Sequence, residues 1–507
     1  METELKLRVP AAAVRRVTSH PLLKGGTRSP VQKLKAVYYD TPDLDLWRKG
    51  AALRVRREGG RWIQTIKWSG GVRAGLHERN ELEIEVPGPA PDCSKIVHPD
   101  IDPLFRAPQL AASLQPVFET SVMRSTRLLA LDGDVVIEAS FDRGEIRSGE
   151  RTEAVSELEL ELKRGAAPAL FRAGLAIVET TPAALESRSK AERGYALYRD
   201  ALATPLKAGM PALDAGMSVS DAFAAIAWST LRHLHGNEQG VLAGEDPEFL
   251  HQMRVALRRL RSALSAFSGA LPDVARKPVA DDLKWLASAL GPARDWDVFV
   301  METLPLARAA FPERPALAAL AQESVRLQAD AQGDMRRALR SRRYQRTMVG
   351  LASWLSLQSW REHAEGDQAS LLDAPVRAYA QAELEGRYER VRKRGRNPGA
   401  LSAEELHALR IAIKKLRYSL DFFAALFDPD GVKRLRSRLS RLQEVLGTLN
   451  DAATLPHLLE NVFGDTQAAT IAEARGLLLG WSAGRAAALK GDLDRAWKGF
   501  RRSETFW

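Results

Sequence analysis

The sequence predicts an α+β protein with an antiparallel β domain first and an all-helical domain after it. Residues 1–200 contain short runs in which apolar and charged residues alternate, separated by turns rich in glycine and proline. From about residue 220 the alternation stops, and leucine, alanine and arginine recur with helical spacing. A segment rich in proline and glycine separates the alternating region from the helical region and is predicted to be a linker. The predicted boundaries are residues 1–202 for the β domain, 203–217 for the linker and 218–505 for the helical domain.

The bulk composition is that of a folded protein with a basic surface. The 507 residues include 74 lysines and arginines against 64 aspartates and glutamates, a net charge of +10. This excess favours polyanionic partners, although a solvated basic surface would show it too. Cys93 is the only cysteine, which excludes an internal disulfide and a thiolate metal site. Because we find neither a signal sequence nor an uncharged apolar run of about 20 residues, we expect a cytoplasmic protein without membrane contact.

The predicted strands carry blocks of charge of a single sign. Glu2, Glu4 and Lys6 alternate with apolar or neutral residues, and residues 157–163 read Glu-Leu-Glu-Leu-Glu-Leu-Lys. Glutamates two positions apart share one face of a strand, and they repel each other unless a cation is bound there. A closed sheet with its charges inward would offer one wall of carboxylates to Mg²⁺ or Mn²⁺ and one wall of cations to phosphate. The ligand that matches both walls is a metal-bound triphosphate.

Several segments, in order along the chain, resemble the CYTH domain, also called the triphosphate tunnel metalloenzymes. They are the opening Glu-x-Glu-x-Lys, the Tyr-Tyr-Asp-Thr-Pro segment at 38–42, the arginine strand at 52–56, the Arg-x-Glu-x-Glu strand at 79–83 and the acidic strand at 157–163. The resemblance covers about residues 1–200. It implies an eight-stranded antiparallel β tunnel with flanking helices that hydrolyses a phosphoanhydride.

The resemblance also implies which residues form the site. The predicted metal ligands are Glu2, Glu4, Asp142, Glu157, Glu159 and Glu161. An acidic wall would be completed by Glu81 and Glu83. The predicted phosphate-binding, catalytic cations are Lys6, Arg54, Arg56, Lys67, Arg124 and Lys190. The strand at 157–163 holds three glutamates where two suffice, and we favour Glu159 and Glu161 without excluding Glu157. Mg²⁺ or Mn²⁺ is the expected cofactor and water the expected nucleophile, with its base either a carboxylate or a lysine of lowered pKa.

The helical half contains an internal repeat. The pattern His-x-x-Arg-x-x-x-Arg-x-x-Arg that begins at His251 recurs 156 residues later at His407, with lysine in place of the second arginine. The same offset relates Asp295 to Asp451. A spacing shared across two helices indicates duplicated structure, so we predict two helical bundles related by an approximate two-fold axis. The two copies span about residues 218–360 and 369–505.

Each repeat helix carries a basic stripe along one face. The stripes comprise His251, Arg254, Arg258 and Arg261 in the first copy and His407, Arg410, Lys414 and Arg417 in the second. An apolar stripe of the same spacing runs beside each, so bundle packing does not need the cations. A single basic stripe is commonly a solvated face, but two with histidine in register favour an anion held between the copies. Lys277 and Lys433 share the offset and join the predicted site.

This repeat resembles the CHAD domain, the conserved histidine α-helical domain that often follows a CYTH domain. The resemblance covers about residues 218–505 and implies that the basic side chains bind inorganic polyphosphate. The whole chain therefore resembles bacterial CYTH–CHAD inorganic triphosphatases. The implied function is metal-dependent hydrolysis of inorganic triphosphate in the tunnel, with polyphosphate binding by the helical domain.

Other functions stay open at this point. An adenylate cyclase or a thiamine or nucleoside triphosphatase would need a pocket for an organic group, for which Trp47, Trp62 and Trp68 are the available stacking residues, although packing explains them too. A non-enzymatic polyphosphate scaffold would not need so many carboxylates. A nucleic-acid binder is disfavoured because no aromatic residues are interleaved with the basic stripes and no recognition motif occurs. We therefore expect no nucleic-acid partner.

Overall fold

The computed structural model describes residues 2–106, 108–131, 134–200, 203–244, 246–463 and 469–507. The chain forms two compact units, which comprise Met1–Thr204 with Arg340–Leu357, and Pro205–Leu339 with Gln358–Trp507. The predicted boundary at residue 202 lies outside the described residues. Within the described residues, no helix combines the length and apolarity that crossing a membrane requires.

The first unit is built on a closed antiparallel barrel. Its strands are β1 Glu2–Arg8, β2 Thr27–Arg28, β3 Gln32–Asp40, β4 Ala52–Glu58, β5 Arg61–Arg73, β6 Leu76–Val86, β7 Gln115–Leu131, β8 Val135–Ser148, β9 Arg151–Arg164 and β10 Ala184–Leu185. Eight of them pair in the order β1-β6-β5-β4-β3-β7-β8-β9, and β9 closes the circle by pairing with β1. The two-residue strands β2 and β10 attach to β7 and β1. The predicted eight-stranded tunnel is confirmed.

Twenty α-helices are described along the chain, besides short 3-10 and π segments. The first ten are α1 Val14–Thr18, α2 Pro21–Lys24, α3 Asp45–Arg48, α4 Asp102–Phe105, α5 Pro108–Ser113, α6 Pro168–Thr180, α7 Lys190–Arg199, α8 Val219–Gly236, α9 Glu238–Ala243 and α10 Pro247–Ala266. The other ten are α11 Asp273–Val298, α12 Leu304–Ala310, α13 Pro315–Leu339, α14 Arg342–Leu357, α15 Gly366–Asp373, α16 Val376–Arg394, α17 Ala403–Phe423, α18 Pro429–Phe463, α19 Ala469–Ala488 and α20 Lys490–Arg501.

Strand alternation decides which side chains enter the barrel. On β4, Leu53 and Val55 are buried in an apolar cluster with Ile101 and Phe105 from a connecting segment. Arg54 and Arg56, the alternate residues, line the barrel interior. Burial of the apolar face outside the barrel, at about 25 cal/mol per Å², fixes the register and so forces the charged face inward.

Helix α6 covers the outside of β1. An added Cβ at Gly174 would lie 2.7 Å from Leu5 Cδ2, so glycine permits the close approach of helix and strand. Helix α14 packs on α6 and belongs to this first unit, although its sequence lies within the segment predicted to be helical domain. Helical periodicity reveals that a segment is helical but not which unit it packs with.

The second unit shows the predicted two-fold relation between its copies. Val219 N donates to Ala374 O and Val376 N donates to Met217 O, each at 2.9 Å. Ala374 and Val376 lie 157 positions after Met217 and Val219, respectively. Each of the two hydrogen bonds is therefore the repeat equivalent of the other. The rings of Phe267 and its repeat counterpart at 423 also meet, with centroids 5.7 Å apart. Contacts between equivalent residues are what a local two-fold axis produces.

The predicted linker, residues 203–217, contains neither helix nor strand. Part of it packs within the second unit, because Leu206 and Gly209 hydrogen-bond to side chains of that unit.

Candidate active site and polyanion site

The barrel interior is a charged cavity of about 390 Å³. All of the predicted tunnel residues except Glu157 line it. The lining residues from that predicted set are Glu2, Glu4, Lys6, Arg54, Arg56, Lys67, Glu81, Glu83, Arg124, Asp142, Glu159, Glu161 and Lys190. Side chains that are far apart in sequence are therefore brought to one space by the closure of the barrel.

Three buried carboxylates form the centre of the cluster. Asp142 on β8 lies opposite Glu157 on β9, and Glu159 follows two residues later on the same face. Each residue has a carboxylate oxygen within 4.8 Å of an oxygen of both others. Clustered carboxylate oxygens are the donors that Mg²⁺ and Mn²⁺ prefer, so this donor set fits a hard divalent cation.

Lys190 joins these three carboxylates at one point. Its Nζ lies 2.6 Å from Asp142 Oδ2, 2.5 Å from Glu157 Oε1 and 3.0 Å from Glu159 Oε1. The residue is the first of α7, where Ser189 and Glu192 form a capping box that fixes the helix start. The three carboxylates raise the pKa of Lys190 well above its usual value, against the opposing effect of burial.

Two further cations hold the same carboxylates. Arg124 binds Asp142 through Nε at 2.7 Å and Nη2 at 2.6 Å, and Nη2 also lies 2.5 Å from Glu159 Oε2. Lys6 binds Glu159 and lies 2.8 Å from Glu4 Oε1. Burial alone would raise the pKa of Glu159, but Lys190, Lys6 and Arg124 hold it well below its usual value. Burial alone would also raise the pKa of Asp142, but Lys190 and Arg124 lower it below its usual value.

The opposite side of the cavity also mixes the two signs. Lys67 binds Glu2 and lies 3.5 Å from Glu81 Oε1, and Arg56 Nη2 lies 3.1 Å from Glu83 Oε1. The expected separation into one acidic and one basic wall is therefore wrong. Buried charges need partners of opposite sign within a few ångströms, so cations and carboxylates interleave on both sides.

The three glutamates of β9 have different surroundings. Glu157 is only 1% exposed and is held by Lys190 and by Arg193 Nη1 at 3.0 Å. Glu159 and Glu161 line the cavity, and Glu161 Oε1 lies 2.7 Å from Lys163 Nζ. Burial raises the pKa values of both Glu157 and Glu161. Glu159 and Glu161 therefore line the cavity and Glu157 does not, and the choice of metal ligands among the three stays a prediction.

The basic stripes of the second unit converge from the two copies. The pKa of Lys414 is lowered to about 8, first by burial and then by the positive charges of Arg410 on its own helix and Arg258 on α10. Arg254 Nη2 lies 3.9 Å from Asp295 Oδ1. His407 Nδ1 lies 2.6 Å from Asn450 Oδ1 on α18. The convergence leaves like charges close together, an arrangement that a polyanion would relieve.

Comparison with known families agrees with this geometry. The CYTH domain model matches residues 1–195, and the CHAD domain model matches residues 225–460. The solved CHAD domain of the plant Ricinus communis is 32% identical, with a TM-score of 0.52, and the match covers 99% of that chain and 60% of this one. The chain is a CYTH domain followed by a CHAD domain.

Individual relatives cover different parts of the protein. An inorganic triphosphatase of Haemophilus influenzae is 36% identical over 165 residues, which are 32% of this chain and 44% of that protein. The chain thus aligns with less than half the length of this relative. An uncharacterized protein of Mycobacterium tuberculosis is 28% identical over 490 residues, and the match covers 89% of this chain and 86% of that protein.

Four charged residues of the CYTH cavity were missed by the sequence reasoning. Glu58, Arg79, Glu138 and Lys163 line the cavity. The period-two spacing of Glu138 and Asp142 along β8 places both on one face, and Arg79 lies directly opposite Glu2 in the sheet. Period-two spacing was therefore the available signal for Glu138, whereas the position of Arg79 depends on strand register.

Two lysines of the predicted CHAD site belong to helices other than those that carry the basic stripes. Lys277 and Lys433 are exposed near the N-terminal ends of α11 and α18. Lys277 Nζ lies 2.9 Å from Asp273 Oδ2. Their role in polyphosphate binding stays a prediction.

Proposed function

We propose that the CYTH domain hydrolyses inorganic triphosphate to pyrophosphate and phosphate with the help of Mg²⁺ or Mn²⁺. The observation that carries this proposal is the interleaving of acidic ligands and cations inside one closed barrel. The sequence similarity to an inorganic triphosphatase over this part of the chain supports it.

The carboxylates are the groups that would hold the metal. Glu2, Glu4, Glu159 and Glu161 line the cavity, and Asp142 lies beside Glu159. When bound, the ion would act as a Lewis acid on phosphoryl oxygens. Lys6, Arg124 and Lys190 already contact these carboxylates, so they stand where they can also meet the phosphate oxygens next to them.

The remaining cations would bind the rest of the triphosphate. Arg54, Arg56 and Lys67 line the other side of the cavity and are partly exposed. Guanidinium and ammonium groups neutralise the charge that develops on a transferred phosphoryl group, and in phosphoryl transfer this electrostatic contribution is the main one a protein makes. The bound triphosphate would therefore be surrounded by fixed positive charge on both sides.

An inorganic substrate is favoured over thiamine triphosphate or a nucleotide. Among the described residues that line the cavity there is no tryptophan, and the ring of Tyr38, which does line it, is stacked on Phe118 with centroids 4.4 Å apart. Trp47, Trp62 and Trp68 instead pack in apolar clusters of the unit. A stacking platform for an organic group is thus not supplied by these residues.

The substrate preference is tested by phosphate release from tripolyphosphate, ATP and thiamine triphosphate, each with Mg²⁺ and with EDTA. We expect the highest kcat/KM with tripolyphosphate. A higher value with ATP or thiamine triphosphate would contradict the inorganic substrate, and pyrophosphate release with formation of cyclic AMP would indicate a cyclase. No metal-dependent release from any substrate would indicate a non-enzymatic scaffold.

We further propose that the CHAD domain binds inorganic polyphosphate along its converging stripes. Arg258 on α10 and Arg410 and Lys414 on α17 lie near enough for their charges to interact. Such a row of cations from two helices suits a linear chain of phosphates, which needs no base-stacking partner. Asp451, which is close to Arg410 and Lys414, offsets part of the charge.

Polyphosphate binding is expected to weaken as the pH rises from 7 to 9. Lys414 has a pKa of about 8 in the free protein, beside Arg258, Arg410, Arg417 and Asp451. A bound polyanion favours the protonated lysine, so binding becomes less favourable once the free lysine is neutral. Titration calorimetry at several pH values measures this. The variant Lys414→Arg stays charged and should bind with much less pH dependence, and an equal fall in both proteins would contradict the assignment.

A further inference from the structure

The two-fold repeat of the CHAD domain contains two equivalent helix–helix surfaces, α8 with α10 and α16 with α17, which we call the first and second grooves. In the first copy, the chain's own segment 205–209 lies against α8 and α10. Asn237 accepts a hydrogen bond from Leu206 N and donates one to Leu206 O, each at 3.0 Å. Arg259 Nη2 donates to Gly209 O at 3.0 Å. Because an amide side chain both donates and accepts, this first groove is suited to an extended peptide.

The equivalent groove of the second copy lies between α16 and α17. An offset of 157 residues from α8 to α16 aligns buried positions with buried positions, such as Val219 with Val376 and Leu234 with Val391. The same register gives the counterparts of the groove residues. It aligns Thr230 with Arg387, His233 with Arg390 and Asn237 with Arg394, and the 156-residue offset aligns Arg259 with Lys415.

The side chains of the second groove are cationic. Burial, followed by the positive charges of Arg387, Arg390 and Arg394, lowers the pKa of Lys415. The carboxylate of Glu383 faces the same cluster and pairs with Arg387. Arg390, Arg394 and Lys415 add three positive charges to the cluster that are not part of that ion pair.

The second groove is also more open than the first. His233 and Asn237 are buried, at 2% and 0% exposure, whereas their counterparts Arg390 and Arg394 are exposed. Arg394 Nη1 donates to Ala408 O at 3.0 Å, which holds this side chain across α17. The cations of the second copy thus remain accessible where the first copy is covered by its own peptide.

The chemistry of the groove selects the kind of occupant. Guanidinium and ammonium groups donate hydrogen bonds and accept none, so they match a chain of negatively charged acceptors rather than a peptide backbone. We propose that the α16–α17 groove is a second site for an extended phosphate chain, distinct from the stripe on α17. Lys415 follows Lys414 of the stripe directly, and consecutive helical residues point about 100° apart. The proposal rests on the polyphosphate binding proposed for the CHAD domain.

The test compares two triple variants of the full chain that carry the same loss of charge. The groove variant is Arg390→Gln, Arg394→Gln and Lys415→Gln. The control variant is Lys49→Gln, Arg308→Gln and Arg314→Gln, which changes exposed cations that belong to neither proposed site. Affinities for long-chain inorganic polyphosphate and for poly-glutamate are measured over a range of salt concentrations.

We expect the groove variant alone to lose at least about tenfold in affinity for long-chain polyphosphate. The slope of log affinity against log salt concentration should become less steep by about two units, since each lost contact contributes about 0.7. If wild type does not bind polyphosphate, the proposed CHAD function fails. If wild type binds and the groove variant equals the control, the groove proposal alone is overturned. Loss of poly-glutamate binding with polyphosphate binding intact would overturn it as well, in favour of an acidic peptide.

A second measurement uses the wild-type chain and does not depend on how the variants fold. Acetylation by an amine-reactive reagent is followed at Lys415, with the exposed Lys49 as the internal reference. Long-chain polyphosphate should protect Lys415 several-fold more than Lys49. Equal acetylation of Lys415 with and without saturating polyphosphate would overturn the proposal.

Discussion

The variant Glu4→Gln is expected to lower kcat for metal-dependent triphosphate hydrolysis at least about 100-fold, since even the outer partners of metal ligands contribute 10- to 100-fold. Glu4 is buried, lines the cavity and lies 2.8 Å from Lys6 Nζ. Glutamine keeps the shape and removes the negative charge, so the expected loss reflects weaker metal binding and a displaced Lys6. Phosphate release from tripolyphosphate over a range of Mg²⁺ concentrations up to saturation measures both kcat and the dependence on the metal.

The matched control for this variant is Glu78→Gln on the neighbouring strand β6. Glu78 lies opposite Thr3, on the alternate face from Glu4, and pairs with Arg73. The control should keep activity within about twofold, because a surface ion pair contributes at most about 1 kcal/mol. A folded Glu4→Gln protein with wild-type kcat and wild-type Mg²⁺ dependence would show that Glu4 is not part of the metal site.

The variant Lys190→Met is expected to destabilise the CYTH domain by roughly 3–5 kcal/mol at pH 7 in EDTA, the usual effect of breaking a buried ion pair. Lys190 is 9% exposed, and its Nζ contacts the carboxylates of Asp142, Glu157 and Glu159. Methionine fills a similar volume, but it removes the positive charge that Lys190 places beside the three clustered carboxylates. Hydrogen exchange of the β8 and β9 amides reports the free energy of unfolding of this domain within the intact chain.

The loss caused by Lys190→Met should depend on pH with a definite sign. Lys190 helps to hold the pKa values of Asp142 and Glu159 below their usual values. Depressed carboxyl pKa values stabilise the fold above the unfolded pKa of about 4, and this stabilisation is lost as the pH falls through the folded pKa. Without Lys190 these folded pKa values rise, so the variant takes up protons at a higher pH than the wild type does. The difference between variant and wild type should therefore be largest near pH 7 and shrink as the pH falls to 4 and below. The exposed Lys49→Met is the control, and a difference that grows on acidification would contradict the account.

The inward placement of the tunnel charges could be predicted from strand alternation alone. Arg54 and Arg56 had to face away from Leu53 and Val55, and the closed barrel then made the charged face an interior. The repeat offset likewise predicted which helices of the CHAD domain correspond, because duplicated helices keep their spacing. These features are local in sequence or periodic, so one chain was enough to reveal them.

Features that depend on strand register or on packing between distant segments could not be predicted in this way. The contacts of Lys190 with Asp142 and Glu159 depend on where α7 begins relative to β8 and β9. The interleaving of charges on both sides of the cavity depends on closure of β9 onto β1. Membership of α14 in the first unit depends on its packing against α6, to which no local pattern points.

The central claim is that the charged barrel of the CYTH domain is a metal-dependent triphosphatase site. The most direct test is phosphate release from tripolyphosphate by the wild-type chain, with Mg²⁺ and then with excess EDTA. Multiple turnovers with Mg²⁺ that stop on chelation and resume when Mg²⁺ is restored are the predicted result. A folded protein that binds tripolyphosphate but releases no phosphate with either Mg²⁺ or Mn²⁺ would contradict the claim.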